Sequence, residues 1–204
     1  GNDADASQLA VEGIEQAEEA ALRAGEIARR IRSFVSGDGT PRKPEDLAAI
    51  VEEACAFGLA EARAQGVHQE IRIAPNEYEV LVDRIQIQQV LINLLQNAVD
   101  ALDSTPNPRI IVSARVENGC AIVTVADNGA GVSEAAEQSL FEPFSTTKDN
   151  GMGMGLAISR TTIEAHEGRL SWSLSPSKET LFSFSIPLAP QADQARHLLS
   201  PDKE

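Results

Sequence analysis

The chain has 204 residues, 42% of them hydrophobic and 24% charged, which is enough for one sizeable domain or two small ones with a real core. Thirty-one acidic residues against 17 basic residues give a net charge of −14, and this charge excludes a general role in binding nucleic acid or an anionic membrane surface. Cys55 and Cys120 lie far apart and no apolar run could span a bilayer, so we expect a cytoplasmic protein without a disulfide framework, a zinc site or a membrane contact from this segment.

The first predicted element is a helix over 14–35 with a heptad-like apolar pattern. Alanine at several seam positions lets another helix approach closely, so the pattern favours a helix bundle and self-association. A helix that packs on its own domain is the alternative. Because the glycine- and proline-containing segment 36–41 ends this helix, we divide the chain into a helical segment 1–36, a linker 37–44, a domain 45–188 and a polar tail 189–204.

The domain contains three predicted helices, each followed by a pair of predicted strands. Apolar periodicity predicts a helix from about 44 to 65, with Phe57 among its inward residues, and further helices over 84–101 and 156–166. Predicted strands cover 70–74, 79–82, 109–116, 121–126, 169–174 and 181–188, the first two joined by a turn at Pro75 and Asn76. Hairpins without strict βαβ alternation predict an α+β fold, a two-layer sandwich of a mixed β-sheet with helices on one face.

The first motif that carries chemistry lies on the helix that begins after Asp83. Asn93 and Asn97 are one turn apart, so both carboxamides leave the same face. Two amide oxygens at this spacing can support Mg²⁺, which keeps several waters and takes its other ligands from phosphate. Two solvent-facing asparagines are the alternative, and for this pair alone they are the better interpretation.

The second motif is Asp127 with Gly129 and Gly131, directly after a predicted strand. A carboxylate at a strand end can accept a hydrogen bond from an amino group while the glycine backbone passes close to a ring. A plain turn is the alternative, because Asp, Asn and Gly are the favoured turn residues.

The third and fourth motifs are a loop, FEPFSTTK over 141–148, and the glycine-rich GMGMGL over 151–156. The two phenylalanines of the loop can anchor it with its hydroxyls and Lys148 facing outward, or the segment is an ordinary surface loop. Glycines at a helix N-terminus leave backbone N–H groups free to hold phosphate oxygens. The match is weak by itself, and it lacks the Gly-Lys-Ser/Thr of a Walker A loop.

Together, in this order and spacing, the motifs resemble those of the catalytic ATP-binding domain of bacterial sensor histidine kinases, whose superfamily includes gyrase and heat-shock chaperone ATPases. QVLINLLQNAVDAL resembles the N box, VADNGAGV the G1 box, FEPFSTTK the F box, GMGMGLAIS the G2 box and ETLFSFSIPL the closing strand. The motifs are most similar to those of oxygen- and dicarboxylate-sensing kinases. The resemblance implies a Bergerat-type ATP-binding fold with ATP and Mg²⁺ as cofactors.

Site roles follow from the resemblance position by position. It implies that Asn97 binds Mg²⁺, that Asp127 accepts a hydrogen bond from the adenine amino group, and that Asn93 and Lys148 are the catalytic residues. The ATP lid would span 145–155. The implied ATP-binding set is Asn93, Asn97, Asp100, Ala101, Asp127, Gly129, Gly131, Val132, Phe144, Ser145, Thr146, Thr147, Lys148, Gly151, Met152, Gly153, Met154, Gly155, Leu156 and Thr180.

Three departures from the family pattern bear on function. Asn93 stands where the ATPase branches have a water-activating Glu, and because an amide cannot take a proton this favours phosphoryl transfer over hydrolysis. Asp100 stands where many relatives have a lysine that contacts phosphate. The turn His166-Glu167-Gly168 stands where relatives often have His-Gly-Gly.

The phosphoacceptor histidine is the largest departure. Residues 14–35 resemble the second helix of the family's dimerisation hairpin, and the first helix, which carries that histidine, has no counterpart in this chain. His68, His166 and His197 are better explained by structural roles. We therefore expect a kinase that phosphorylates a histidine outside this chain and relays the group to a response regulator, in a full-length homodimer whose membrane anchor, if it has one, also lies outside. A serine kinase of the anti-sigma type and a nucleotide-binding pseudo-kinase adaptor are the alternatives.

Overall fold

The computed structural model describes residues 41–74, 78–146 and 153–190, and it places them in helices on one face of a mixed sheet, as predicted. In chain order the elements are β1 (Lys43–Asp46), α1 (Leu47–Gly58), α2 (Ala60–Ala64), β2 (His68–Arg72), β3 (Glu79–Val82), α3 (Arg84–Ala101), β4 (Arg109–Glu117), β5 (Cys120–Asp127), α4 (Glu134–Glu137), α5 (Gly155–Ala165), β6 (Arg169–Leu174) and β7 (Thr180–Pro187). None of these helices is long and apolar enough to cross a membrane.

The main sheet has five strands in the order β2-β4-β5-β7-β6. Only the β2–β4 pair is parallel, and the other neighbours run antiparallel. The predicted β4–β5 hairpin turns at Asn118 and Gly119, whose φ angles of 51° and 76° match the left-handed conformation that a tight hairpin needs. Strands β1 and β3 form a separate two-stranded sheet.

Strand β5 occupies the centre of the five strands, and its carboxyl end positions the site. On the neighbouring β7, side chains alternate between buried and half-buried, with Phe182, Phe184 and Ile186 in the core under the helices. The same alternation buries Thr180 at the start of β7, opposite Asp127 at the end of β5. The sheet therefore brings two polar side chains into the core at one edge.

Helix α3 begins at a buried polar junction. The Asp83 carboxylate caps the helix by accepting hydrogen bonds from the backbone N–H groups of Ile85 at 3.0 Å and Gln86 at 3.3 Å. His166, at the end of α5, accepts from the Asp83 N–H through Nε2 at 3.1 Å and donates through Nδ1 to the Thr162 carbonyl at 2.8 Å. This buried imidazole uses both ring nitrogens and has the structural role that the sequence favoured.

Two details of the helix predicted over 44–65 are wrong. The segment from 44 to 65 is a short strand followed by two helices, because Lys43–Asp46 pairs with β3 and Asp46 then caps α1 at the Ala48 N–H, 3.0 Å away. Phe57 is 77% exposed. The residue of α1 that faces α3 at this point is the half-buried Gly58, where an added Cβ would lie 3.2 Å from Leu95 Cδ1.

The strand β2 begins at His68, two residues before its predicted start, and pairs with β4, whereas β3 belongs to the other sheet. The turn predicted at Pro75 and Asn76, the helix over 14–35 and most of the tail lie outside the described residues. The four-part division of the chain therefore stays a prediction, although Lys43 and Pro44, assigned to the linker, belong to β1.

Gly168 joins α5 to β6 with no room for a side chain, since a Cβ there would lie 1.9 Å from the Ser185 carbonyl oxygen. We expect Gly168→Ala to lower the free energy of unfolding by about 1–3 kcal/mol, because the β7 backbone must move to relieve the overlap. The exposed Ser173 on β6 provides the control, since Ser173→Ala should change the free energy of unfolding by less than about 0.5 kcal/mol. Urea denaturation measures both; equal midpoints for the two variants would contradict the packing.

Candidate functional site

Asp127 is a buried carboxylate at the carboxyl end of β5. Its side chain is 2% exposed, and Oδ1 accepts a hydrogen bond from the Gly129 N–H at 2.9 Å. Burial raises the pKa of Asp127 from its ordinary value of 3.8 to about 6; the Gly129 hydrogen bond opposes this shift, and the charge of Glu179 adds to it. A carboxyl group with this pKa is mostly ionised at neutral pH, although it is buried.

Thr180 lies opposite Asp127 and has an unused hydroxyl. The residue is 2% exposed, and its Oγ1 is the one buried side-chain polar atom in the described part of the chain without a hydrogen-bond partner. A Cβ on Gly131 would lie only 3.7 Å from this hydroxyl, so the loop after β5 passes next to it. A buried, unsatisfied polar group costs about 1–3 kcal/mol, and a ligand with a matching group relieves that cost.

The loop after β5 is attached to the end of α3. The Ala130 N–H donates to the Ala101 carbonyl at 3.0 Å, and a Cβ on Gly129 would lie 2.2 Å from that same oxygen. Only glycine fits at position 129, because the obstacle is backbone. Val132, further along the loop, packs against the core. The second sequence motif is thus held against the helix that carries the first.

The asparagines of α3 lie on its half-buried side. Asn93 donates through Nδ2 to the Ser159 hydroxyl of α5 at 3.0 Å, and its Oδ1 lies where a side chain on residue 155 would project, 2.2 Å from an added Cβ. Asn97 is half-buried one turn further on. Asp100 is exposed and accepts a hydrogen bond from Gln96 at 2.8 Å. The first motif therefore touches the helix that the fourth motif opens.

The prediction that both phenylalanines of the third motif anchor the loop is correct for Phe141 and wrong for Phe144. Phe141 is half-buried against the core, with the Arg160 guanidinium 5.8 Å from its ring centre, whereas Phe144 is 73% exposed. Phe144 also has a φ of 67°, in the left-handed region that non-glycine residues seldom adopt. Ser145 forms a 2.9 Å hydroxyl–hydroxyl hydrogen bond with Ser139.

The start of α5 completes the site as far as the structure describes it. The Gly153 backbone lies so close to the loop of the third motif that an added Cβ would be 2.5 Å from the Phe144 carbonyl carbon. Met154 is the N-cap residue of α5, and no side chain caps the helix there by a hydrogen bond. Leu156 packs against the core. Thr146 is exposed. Thr147, Lys148, Gly151 and Met152 lie outside the described residues.

Two contacts at the site were not predicted from the sequence. Arg109 and Glu179 form an ion pair at 2.5 Å next to Asp127, and Ser159 binds Asn93. Both contacts join residues more than sixty positions apart, so no local pattern indicates them. The sheet register could have indicated the first, because Arg109 and Glu179 directly precede Ile110 and Thr180, the residues paired with Asp127.

The raised pKa of Asp127 makes the stability of the nucleotide-free protein depend on pH. The contribution of Asp127 to the free energy of unfolding is fully present below about pH 4 and is lost as the pH rises through about 6, because the folded state favours the protonated form. An asparagine at position 127 stays neutral over this pH range, and its side-chain oxygen can still accept the hydrogen bond from the Gly129 N–H. We expect Asp127→Asn to gain about 3 kcal/mol in free energy of unfolding relative to wild type between about pH 4 and pH 7.

Chemical denaturation across this pH range measures the difference. Asp103→Asn is the matched control, because Asp103 is exposed after the end of α3. The stability difference from wild type should vary with pH for Asp127→Asn and stay constant for Asp103→Asn. If it stayed constant for both variants, burial of Asp127 would not make stability depend on pH.

Comparison with known proteins places these features in one family. Residues 82–190 match the family model described as histidine kinase-, DNA gyrase B-, and HSP90-like ATPase. The sensor protein FixL of Bradyrhizobium diazoefficiens is 42% identical over 177 residues, which cover 86% of this chain and 35% of FixL. The C4-dicarboxylate transport sensor protein DctS of Rhodobacter capsulatus is 37% identical over 170 residues, covering 82% of this chain and 26% of DctS. The chain thus spans about a third or less of these relatives.

Solved structures agree with the fold. The nucleotide-free catalytic domain of histidine kinase ThkA has a TM-score of 0.65 and 29% identity, over 73% of this chain and 97% of that domain. ThkA in complex with response regulator protein TrrA has a TM-score of 0.69 over 86% of this chain and 50% of that one; at 24% identity this match shows the fold alone. The resemblance to oxygen- and dicarboxylate-sensing kinases is confirmed by FixL and DctS. The chain belongs to the histidine kinase-, DNA gyrase B- and HSP90-like ATPase family, as the ATP-dependent catalytic domain of a sensor histidine kinase of two-component signalling.

Proposed function

We propose that this chain binds Mg·ATP at the edge of the sheet and transfers the γ-phosphoryl group to a histidine of a dimerisation hairpin outside the chain. The observation that carries the proposal is the buried pair of Asp127, ionised at neutral pH, and Thr180, whose hydroxyl has no partner in the described part of the chain. Such a pair offers an acceptor and a hydroxyl to one edge of a planar polar ring. ATP binding is also what membership of the family implies.

At the base end, Asp127 accepts a hydrogen bond from the adenine amino group. The Gly129 N–H already occupies Oδ1 at 2.9 Å and fixes the carboxylate, so the other oxygen faces the ligand. Thr180 supplies a hydroxyl at the same edge, and Gly129 and Gly131 let the backbone approach the ring. Ala101 and Val132 border this part of the site.

At the phosphate end, the N-terminus of α5 offers backbone N–H groups that no side chain caps. The lid over 145–155 would close on the phosphates, with Lys148 and the hydroxyls of Ser145, Thr146 and Thr147 as contacts and Gly151, Met152, Gly153, Met154 and Gly155 as backbone. Asn97 would hold Mg²⁺ through its amide oxygen, a ligand type that this cation accepts. The cation, when bound, neutralises charge on the phosphate oxygens.

The transfer itself needs a nucleophile in line with the γ-phosphorus. A neutral imidazole nitrogen forms a bond to that phosphorus, the bond to the β–γ bridging oxygen breaks, and ADP leaves with the electron pair. Asn93 cannot take a proton from water, so hydrolysis should be slow. His166 is no substitute for the external histidine, because both its nitrogens are hydrogen-bonded in the core.

Partners follow from the same proposal. The complex of ThkA with a response regulator supports relay of the phosphoryl group to such a protein here. The heptad-like pattern over 14–35 supports a homodimer in the full-length protein. FixL and DctS are both sensor proteins, which favours the histidine kinase over the serine kinase and the adaptor.

Nucleotide binding tests the base end directly. We expect Asp127→Asn to lower the affinity for ATP by about 10- to 100-fold while the protein stays folded, because the amide can turn a donor toward the adenine amino group. Isothermal titration calorimetry at about pH 7.5 measures the affinity. Asp103→Asn is again the control, and an unchanged affinity in Asp127→Asn would contradict the adenine assignment.

Labelling with γ-³²P-ATP tests the transfer. The chain alone should stay unlabelled. When the dimerisation hairpin of the full-length protein is added as a separate polypeptide, the hairpin should acquire acid-labile, alkali-stable phosphate, weakly because tethering is lost. Acid-labile phosphate on the chain alone would make one of its own histidines the acceptor. Acid-stable phosphate would show the serine kinase instead.

A further inference from the structure

We propose that Ser159 is a positioning residue for the phosphate end of the site: it holds the Asn93 amide and thereby fixes α5 relative to α3. The inference rests on the proposed function, because it concerns how the two helices that would hold phosphate and Mg²⁺ stay in register. Ser159 belongs to neither the base-binding residues nor the lid.

The contact is buried and specific. Ser159 is 2% exposed and lies one turn after Gly155, on the same face of α5. Its hydroxyl accepts from Asn93 Nδ2 at 3.0 Å. The Asn93 amide also lies against Gly155, since a Cβ there would be 2.2 Å from Oδ1 and 3.2 Å from Nδ2. One amide group is therefore held by a hydroxyl on one side and by a bare glycine backbone on the other.

This contact orients Asn93. Because Nδ2 donates to Ser159, the amide presents Oδ1 at the N-terminus of α5, and no donor in the described part of the chain bonds that oxygen. Without the hydroxyl the amide can rotate and exchange its oxygen for its NH₂ group. Packing alone does not require a hydroxyl at position 159, since alanine would fill nearly the same volume.

The contact also sets a distance between helices. Asn97 follows Asn93 by one turn of α3, and the uncapped N–H groups of α5 begin at Gly155. The start of α3 and the end of α5 are also joined, because His166 Nε2 accepts a hydrogen bond from the Asp83 N–H at 3.1 Å. Because α5 is held to α3 at two points, the proposed metal ligand and the proposed phosphate-binding N-terminus keep a fixed separation.

The test compares two ligands on the whole chain: adenosine, which reaches only the base end, and Mg·AMP-PNP, which reaches both ends. We expect Ser159→Ala to weaken Mg·AMP-PNP binding about five- to tenfold and to change adenosine binding by less than about twofold. The matched control is Thr161→Ala, which removes an exposed hydroxyl bonded to the Ala157 carbonyl of its own helix. Thr161→Ala should change neither affinity.

A double-mutant cycle separates positioning from a general loss of stability. If Ser159 acts through Asn93, then Ser159→Ala should have no further effect on Mg·AMP-PNP binding in an Asn93→Ala background. Equal loss for both ligands, or an additive loss in the double variant, would overturn the inference.

The two proposals fail in different ways. If wild type binds adenosine and Mg·AMP-PNP with equal affinity, the proposed phosphate end is wrong and the role of Ser159 is wrong with it. If wild type prefers Mg·AMP-PNP and Ser159→Ala keeps that preference in full, only the role of Ser159 is wrong.

Discussion

A carboxylate buried at the end of a central strand is the constraint around which this domain is arranged. Folding removes Asp127 from water and returns one hydrogen bond, from the Gly129 N–H, so its pKa rises to about 6. Beside it, Thr180 keeps a buried hydroxyl without a partner in the described part of the chain. Both features weaken the nucleotide-free fold, and both suit a ligand that donates to one group and bonds the other. The domain is therefore less stable than it would be with apolar side chains at these two positions, because the proposed base site needs polar groups there.

Helix α3 connects the two ends of that site. At Ala101 its carbonyl binds the loop after β5, and at Asn93 its side chain binds α5. Each contact is possible because the facing residue is a glycine, Gly129 at one point and Gly155 at the other. The two contacts are about 12 Å apart along the helix axis. One rigid element therefore sets the spacing between the proposed base end and the proposed phosphate end.

Much of this arrangement could be predicted from the sequence, for identifiable reasons. Helix α3 and the β4–β5 hairpin have strong local signals, the Asp83 cap and the Asn118-Gly119 turn, so their bounds were predicted to within a residue or two. Strand β1 was missed because Lys43–Asp46 is short and polar and becomes a strand only by pairing with β3. Phe57 was placed wrongly because periodicity does not reveal how closely α3 approaches Gly58. The order of the motifs predicted the family. The Ser159 and Arg109–Glu179 contacts are long-range and needed the structure.

The most direct test of the account is the pKa of Asp127, measured by NMR titration of its side-chain carboxyl carbon with and without saturating adenosine. The account predicts a pKa of about 6 in the free protein, because burial disfavours the charged carboxylate. It predicts a lower pKa with adenosine bound, because a hydrogen bond from the adenine amino group favours the ionised form. A free-state pKa near the ordinary value of 3.8, or a pKa that adenosine leaves unchanged, would contradict the central role of this carboxylate.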